Sequence, residues 1–208
     1  MRVINLFITI LFVVSNIYSQ SVKSFRDNGK YGLKDIKTGK VIVKPIYDFV
    51  YVNKDESQLI KIKLDKKYGF MNASGKVMIP PSYSYADNFY DGIAKVKGDY
   101  DDKYVYINDK GTELFEHSYS MQGHFSNGMI LFKEGGKYGY IDKSGEIAIK
   151  AEYDSGLPFG DELAPVSKNS KWGFIDKSGN TVIPFKYDIA GEFNDGAAKI
   201  GMIDHVEF

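Results

Sequence analysis

The sequence predicts an all-β repeat array, and three regularities predict it. The segment Lys171-Trp172-Gly173-Phe174-Ile175-Asp176-Lys177-Ser178-Gly179 returns as Lys137-Tyr138-Gly139-Tyr140-Ile141-Asp142-Lys143-Ser144-Gly145, and three more times in altered form. The turn glycines Gly39, Gly75, Gly111, Gly145 and Gly179 follow one another at steps of 36, 36, 34 and 34 residues. A tyrosine eight positions later keeps the same steps, as Tyr47, Tyr83, Tyr119, Tyr153 and Tyr187. A period of this length marks a unit too small to bury its own apolar face, which it covers by stacking on its neighbours.

Five copies are present, starting near residues 30, 67, 103, 137 and 171. Six residues beyond the tyrosine stand Phe89, Phe125, Phe159 and Phe193, with Asn53 breaking the rule in the first copy. The aromatic before the strand glycine reads Tyr31, Tyr68, Tyr104, Tyr138 and Trp172. Much of the 15% aromatic content is therefore architectural and is no sign of a ligand site.

Within a copy, Lys171 to Asp176 reads as a strand, Asp176 to Gly179 as a turn and Asn180 to Pro184 as a second strand. Aspartate at the start of such a turn hydrogen-bonds the backbone, and glycine at its end supplies the positive φ. A third strand follows at Leu59 to Leu64, Ile93 to Val96, Met129 to Phe132, Leu163 to Val166 and Ala197 to Ile200, which makes each copy a three-stranded antiparallel meander of 34–37 residues. The second strands are apolar throughout, as in Val77-Met78-Ile79, and read as covered on both faces. A glycine inside a strand weakens it unless something occupies the space, so Gly32, Gly69, Gly139 and Gly173 predict an aromatic ring lying across the bare backbone. Val105 holds that place in the third copy. The copies stack as an open, solenoid-like array, with a closed propeller-like or toroidal arrangement as the alternative, and no helical periodicity occurs after residue 19.

Residues 1–19 are of another kind. A basic start at Arg2, an apolar run from Val3 to Val14 and a small residue at Ser19 form the three parts of a secretory signal peptide. The run is short of the roughly 20 apolar residues that span a bilayer. The expectation is an exported protein, periplasmic, surface-associated or secreted, with a repeat domain over 20–208. Loss of Arg2 leaves 26 basic and 27 acidic residues, a net charge of −1 without the basic stripe that nucleic acid requires. The recurring Lys30, Lys67, Lys103, Lys137 and Lys171 read as strand-edge lysines that discourage aggregation. With no cysteine in the chain, disulfides and thiolate chemistry are excluded.

With these residues in view, the chain resembles the WG-repeat family, exported bacterial type, whose Trp-Gly pair stands here as Trp172-Gly173, followed by Val182-Ile183-Pro184 and Tyr187-Asp188. The resemblance covers residues 30 to about 200, and four copies carry tyrosine in place of the tryptophan. It implies an all-β interaction module without a shared catalytic activity and brings no catalytic residues.

Candidate chemistry is sparse. His117 and His124 stand seven apart with only Glu116 beside them, and His205 is distant, which falls short of a metal-ligand set. Asp99, Asp101 and Asp102 lack the fixed spacing of a Ca²⁺ loop. No phosphate loop, nucleophile elbow or metalloprotease motif occurs. The expected function is a non-catalytic scaffold binding another protein of the envelope or extracellular space, with no cofactor and no metal. The alternative is a glycan or cell-wall binder that uses hairpin aromatics. The third copy breaks the repeat most, which nominates Val105, Glu116, His117 and His124 for binding.

Overall fold

The computed structural model describes residues 21–53, 59–99, 103–116 and 119–202, and the regular elements among them are all strands. The chain forms six small antiparallel sheets in sequence order. The first contains β1 (Val22–Asp27), β2 (Lys30–Asp35) and β3 (Val41–Tyr47). The second contains β4 (Phe49–Tyr51), β5 (Ile60–Leu64), β6 (Lys67–Met71) and β7 (Val77–Tyr83). The third contains β8 (Tyr85–Ala86), β9 (Ile93–Lys97), β10 (Val105–Asn108) and β11 (Glu113–Glu116), and the fourth β12 (Ser120–Ser126), β13 (Met129–Glu134), β14 (Lys137–Asp142) and β15 (Ile147–Tyr153). The fifth contains β16 (Ser155–Gly156), β17 (Ala164–Lys168), β18 (Lys171–Ile175) and β19 (Thr181–Tyr187), and the sixth β20 (Ile189–Asn194) and β21 (Ala197–Gly201).

The all-β repeat array is as the sequence predicts. Each complete sheet carries a fourth strand, because the link after the repeated tyrosine pairs with the strand that follows it, as β4 does with β5. The sheets are also out of phase with the sequence copies. The third sheet, for example, joins β8 and β9 of the second copy to β10 and β11 of the third. Among the described residues β1 pairs only with β2, and β20 and β21 only with each other, so no strand pairing joins the two ends and the array is open. The expected signal segment and residues 203–208 lie outside the described residues.

Both turn types follow local chemistry. Asp142 Oδ1 accepts from the Ser144 N–H at 2.8 Å and the Glu146 N–H at 3.2 Å, and Asn72, Asn108 and Asp176 do the same in their copies. Gly145 closes the turn at φ 88° and rests against the Phe115 ring of the preceding sheet. The link from third strand to next copy is a two-residue turn with both φ positive, as at Asn28-Gly29, Asp65-Lys66, Gly135-Gly136 and Asn169-Ser170.

Two expectations are corrected. The strand glycines face bulged backbone instead of an aromatic ring. In β14–β15 the register passes from Tyr138↔Tyr153 to Tyr140↔Ile149, and a Cβ added at Gly139 would lie 2.5 Å from the Ile149 carbonyl oxygen. Gly69 and Gly173 meet the same bulge, and only Gly32 also meets a ring, that of Phe25. Val105 is possible because β10 and β11 pair Val105 directly with Glu116. The second strands are covered on one face only. Ile79 and Ile149 are buried, while Val77 and Ile147 are exposed.

Apolar clusters fill the spaces between successive sheets. Leu33 and Tyr47 meet Ile62 and Met71 between the first and second, and Phe70 and Ile79 meet Phe89 and Val96 between the second and third. An aromatic pair recurs in each later space. Phe70 meets Phe89 edge to face at 4.7 Å, Tyr106 meets Phe125 at 5.9 Å, Tyr140 meets Phe159 at 4.8 Å and Phe174 meets Phe193 at 5.9 Å. In the first copy the ring after the strand glycine is replaced by Leu33, and the phenylalanine position by Asn53, so both members change together.

Candidate functional site

Position pairing across the third strand and the next copy places a cation beside four of the five rings at the aromatic position before the strand glycine. Arg26 lies 5.6 Å from the Tyr31 ring, Lys63 4.5 Å from Tyr68, Lys97 5.8 Å from Tyr104 and Lys133 5.0 Å from Tyr138. In the fifth sheet Ser167 stands opposite Trp172 instead. Such contacts are worth about 0.5–1 kcal/mol each where exposed.

The second and third sheets add a further lysine two residues earlier on the same face. Lys61 lies 5.9 Å from both Tyr51 and Tyr68, and its ammonium donates to the Ala86 carbonyl at 3.1 Å. Lys95 lies 5.1 Å from Tyr104 and 3.5 Å from the Asp87 carboxylate. The matching positions elsewhere are Ser24, Leu131 and Pro165. Burial lowers the Lys61 pKa. The Tyr85 hydroxyl donates to Asp87 at 2.5 Å, which with its burial pushes its pKa up to about 12.

Beside Lys61 and Lys63 the rings of Phe49 and Tyr51 lie parallel, 4° apart in plane with centroids at 6.3 Å. Asp48, Phe49, Lys63, Lys66 and Tyr68 line an open cleft of about 390 Å³. Its carboxylate is already engaged: Asp48 accepts from Lys30 at 2.6 Å and from the backbone N–H groups of Asp65 and Lys66, which hold its pKa below the usual value. Lys63 donates to the Tyr68 hydroxyl at 3.2 Å. Lys61, Lys63 and Lys66 have no carboxylate within ion-pair distance among the described residues.

The repeat lysines contrast with these three. Each meets a carboxylate: Lys30 meets Asp48, Lys67 meets Asp99, Lys103 meets Glu116 at 3.1 Å, Lys137 meets Asp154 and Lys171 meets Asp188 at 2.5 Å. Lys30, Lys137 and Lys171 thus join sheet to link, Lys67 reaches the loop after β9 and Lys103, just before β10, pairs with β11 of the same sheet, where the sequence reading made all five solvated edge residues. Asp154 also accepts from the Asn169 N–H at 2.7 Å, so one carboxylate ties the fourth sheet to the turn of the fifth.

Of the four nominated residues, Val105, Glu116 and His124 lie among the described residues. Val105 is half-buried against the core between the second and third sheets, and Glu116, its ladder partner, is exposed and paired with Lys103. His124 sits in β12 and stacks on the Tyr90 ring at 3.8 Å, a contact that joins the third and fourth sheets. His117, Asp101, Asp102 and His205 lie outside the described residues, and Asp99 belongs to the Lys67 pair. Among the described residues no group of three or more His, Asp or Glu is placed to hold a metal ion. Sequence reading missed the cleft. Its signal was the Lys-x-Lys pattern of Lys61-Ile62-Lys63 and Lys95-Val96-Lys97, which the third strands of the other copies lack.

Comparison with known proteins decides the family. A model of the WG containing repeat matches five times in succession, over residues 31–68, 68–104, 106–138, 138–172 and 172–202. The chain belongs to the WG containing repeat family. No curated protein matches this WG-repeat chain. Among solved structures, Kluyveromyces lactis Hsv2p is 10% identical with a TM-score of 0.43, over 87% of this chain and 68% of that one. A form of KlHsv2 with loop 6CD replaced by a Gly-Ser linker is 9% identical with a TM-score of 0.43, over 78% of this chain and 62% of that one. A structure described as the eukaryotic initiation factor is 10% identical with a TM-score of 0.49, over 88% of this chain and 60% of that one. The chain thus spans less than two thirds of two of these three. At such scores the likeness says nothing about what this chain binds.

Proposed function

We propose that the protein is a non-catalytic, exported scaffold of the cell envelope that binds another protein. One observation carries the reading: the aromatics that define the repeat are mostly engaged in packing, while the outward side chains change from sheet to sheet. Tyr153, Phe89, Phe125 and Phe159 are buried between sheets. The Lys-x-Lys and exposed-ring combination of Phe49, Tyr51, Lys61 and Lys63 belongs to one part of the array. A stacked array offers a rigid surface whose exposed positions vary copy by copy, which suits recognition of a folded or extended polypeptide. Export rests on the three-part segment at residues 1–19.

The parallel rings of Phe49 and Tyr51 are the feature that favours the second reading, a glycan or cell-wall binder. Capture from envelope fractions with residues 20–208 as bait, run beside a glycan array, separates the two. The scaffold reading expects a protein partner retained after glycosidase treatment. Selective glycan capture without such a partner refutes it in favour of the second reading, and turnover of a bound compound refutes both.

A further inference from the structure

We infer that the cleft at Phe49, Lys63, Lys66 and Tyr68, with the neighbouring Lys61, is a docking site for an extended, carboxylate-rich segment of a partner protein. The inference rests on the scaffold reading and names the chemistry of the partner. Charge is the first support. Among the described residues every repeat lysine meets a carboxylate, whereas Lys61, Lys63 and Lys66 have none within ion-pair distance and meet ring faces, a carbonyl and a hydroxyl, with Asp87 acting on Lys61 from farther off. Asp48 is occupied by Lys30 and two backbone N–H groups, and so does not cancel them.

Geometry is the second support. Lys61 and Lys63 lie two residues apart on one face of β5, a spacing of about 7 Å along the strand. An extended peptide repeats its same-face side chains at that distance, so acidic residues at alternate positions match both ammonium groups at once. Phe49, Tyr51 and Tyr68 supply ring surface for an apolar residue of the same segment. The hydroxyls of a neutral polyhydroxyl ligand could accept from these ammonium groups but would leave their charges unbalanced, which carboxylates do not. Nucleic acid would need a continuous basic track, and the array replaces the inner lysine by Leu131 and Pro165 in the fourth and fifth sheets.

The test uses residues 20–208 and a short fluorescein-labelled peptide of alternating glutamate and threonine with a central phenylalanine, read by fluorescence anisotropy. The acidic peptide is expected to bind, to weaken as salt is raised, and to bind at least about tenfold more tightly than the same peptide with glutamine for glutamate, a difference of about 1.4 kcal/mol. Replacing Lys61, Lys63 and Lys66 together by glutamine should remove that preference. Lys66→Gln alone, at an exposed turn position outside the packed face, should reduce it with unchanged circular dichroism. Lys133→Gln, beside Tyr138 in the fourth sheet, should leave it intact. Equal affinity for the acidic and amide peptides, a triple variant that binds as the parent does, or polygalacturonate or single-stranded RNA bound where the peptide is not, each overturns the inference. If a captured envelope partner still binds the triple variant, the cleft is refuted and the scaffold reading stands. If no protein partner is captured at all, the scaffold reading itself fails.

Discussion

Replacing Gly139 by alanine tests the central packing rule of this array. Its backbone has no positive φ, so alanine meets no conformational penalty there. The obstruction is spatial. The new methyl carbon would lie 2.5 Å from the Ile149 oxygen and 2.7 Å from both the Ala151 nitrogen and the Lys150 carbonyl carbon. All three are backbone atoms of the bulged β15, which cannot swing aside as a side-chain tip can, so relief requires the bulge to shift or the two strands to part. Overpacking a rigid core costs about 1–3 kcal/mol, sometimes more, and this site belongs at the upper end, near 3 kcal/mol. Thermal unfolding followed by circular dichroism should then fall by about 6–12 °C, given about 2–4 °C per kcal/mol for a chain of this size. Gly29→Ala is the comparison, with φ 81° and open space around it. Lys66 and Ser170 already adopt that conformation at the matching turn position, so the change should cost only about 1–2 kcal/mol. The reasoning is refuted if Gly139→Ala proves as mild as Gly29→Ala.

Tyr153→Ala should cost about 3–5 kcal/mol, since its ring is 3% exposed between the fourth and fifth sheets; chemical denaturation with residues 20–208 measures it, and an unchanged midpoint would move this tyrosine from core to surface role. A double-mutant cycle removing the rings of Tyr140 and Phe159 should give a coupling of about 0.5–1.5 kcal/mol for their edge-to-face contact at 4.8 Å, and additive losses would contradict it. Hydrogen bonds from Thr38 to Asp35 and from Asn180 to Asp176, and the Lys137 and Asn169 bonds to Asp154, all lower the carboxyl pKa. A depressed folded pKa means stability that is complete above the unfolded value of about 3.9 and is lost as pH falls through the folded one. Melting temperature should therefore hold between pH 5 and pH 7 and decline below about pH 4, whereas a decline beginning near pH 6 would point to another group.

The repeat was legible because its signals are local or strictly periodic. The Asp-to-Gly turns, the third strands and the recurring Tyr47, Tyr83, Tyr119, Tyr153 and Tyr187 each announce themselves without knowledge of what they touch. The reason for Gly139 was not legible, since what occupies the space is a bulge in the partner strand, and a bulge leaves no mark on the glycine itself. In the second, third and fifth sheets the fourth strand was missed because β4, β8 and β16 are only two or three residues long, too short to show a period. Asn53 was visible as an isolated exception, and its link to the loss of a ring at Leu33 became legible only when the sheets were stacked. Departure from the repeat pointed to the third copy for binding, whereas the lysines without a carboxylate partner among the described residues gather in the second sheet, on the third strand of the first copy and the turn that follows it. Periodicity locates the sheets, and the lysines without a carboxylate partner among the described residues mark the cleft.

The offset between sequence copy and sheet has a consequence for how such chains grow. A copy cut at the family boundaries, such as residues 138–172, holds the last two strands of one sheet and the first two of the next. Alone it would be two half-sheets with nothing to complete either. Inserted between two existing copies, it finishes the sheet before it and starts the sheet after it, so one duplication adds one whole sheet and leaves both ends as they were. The smallest unit that can be gained or lost is thus not the smallest unit that can fold, and the array can change length without redesigning a single interface.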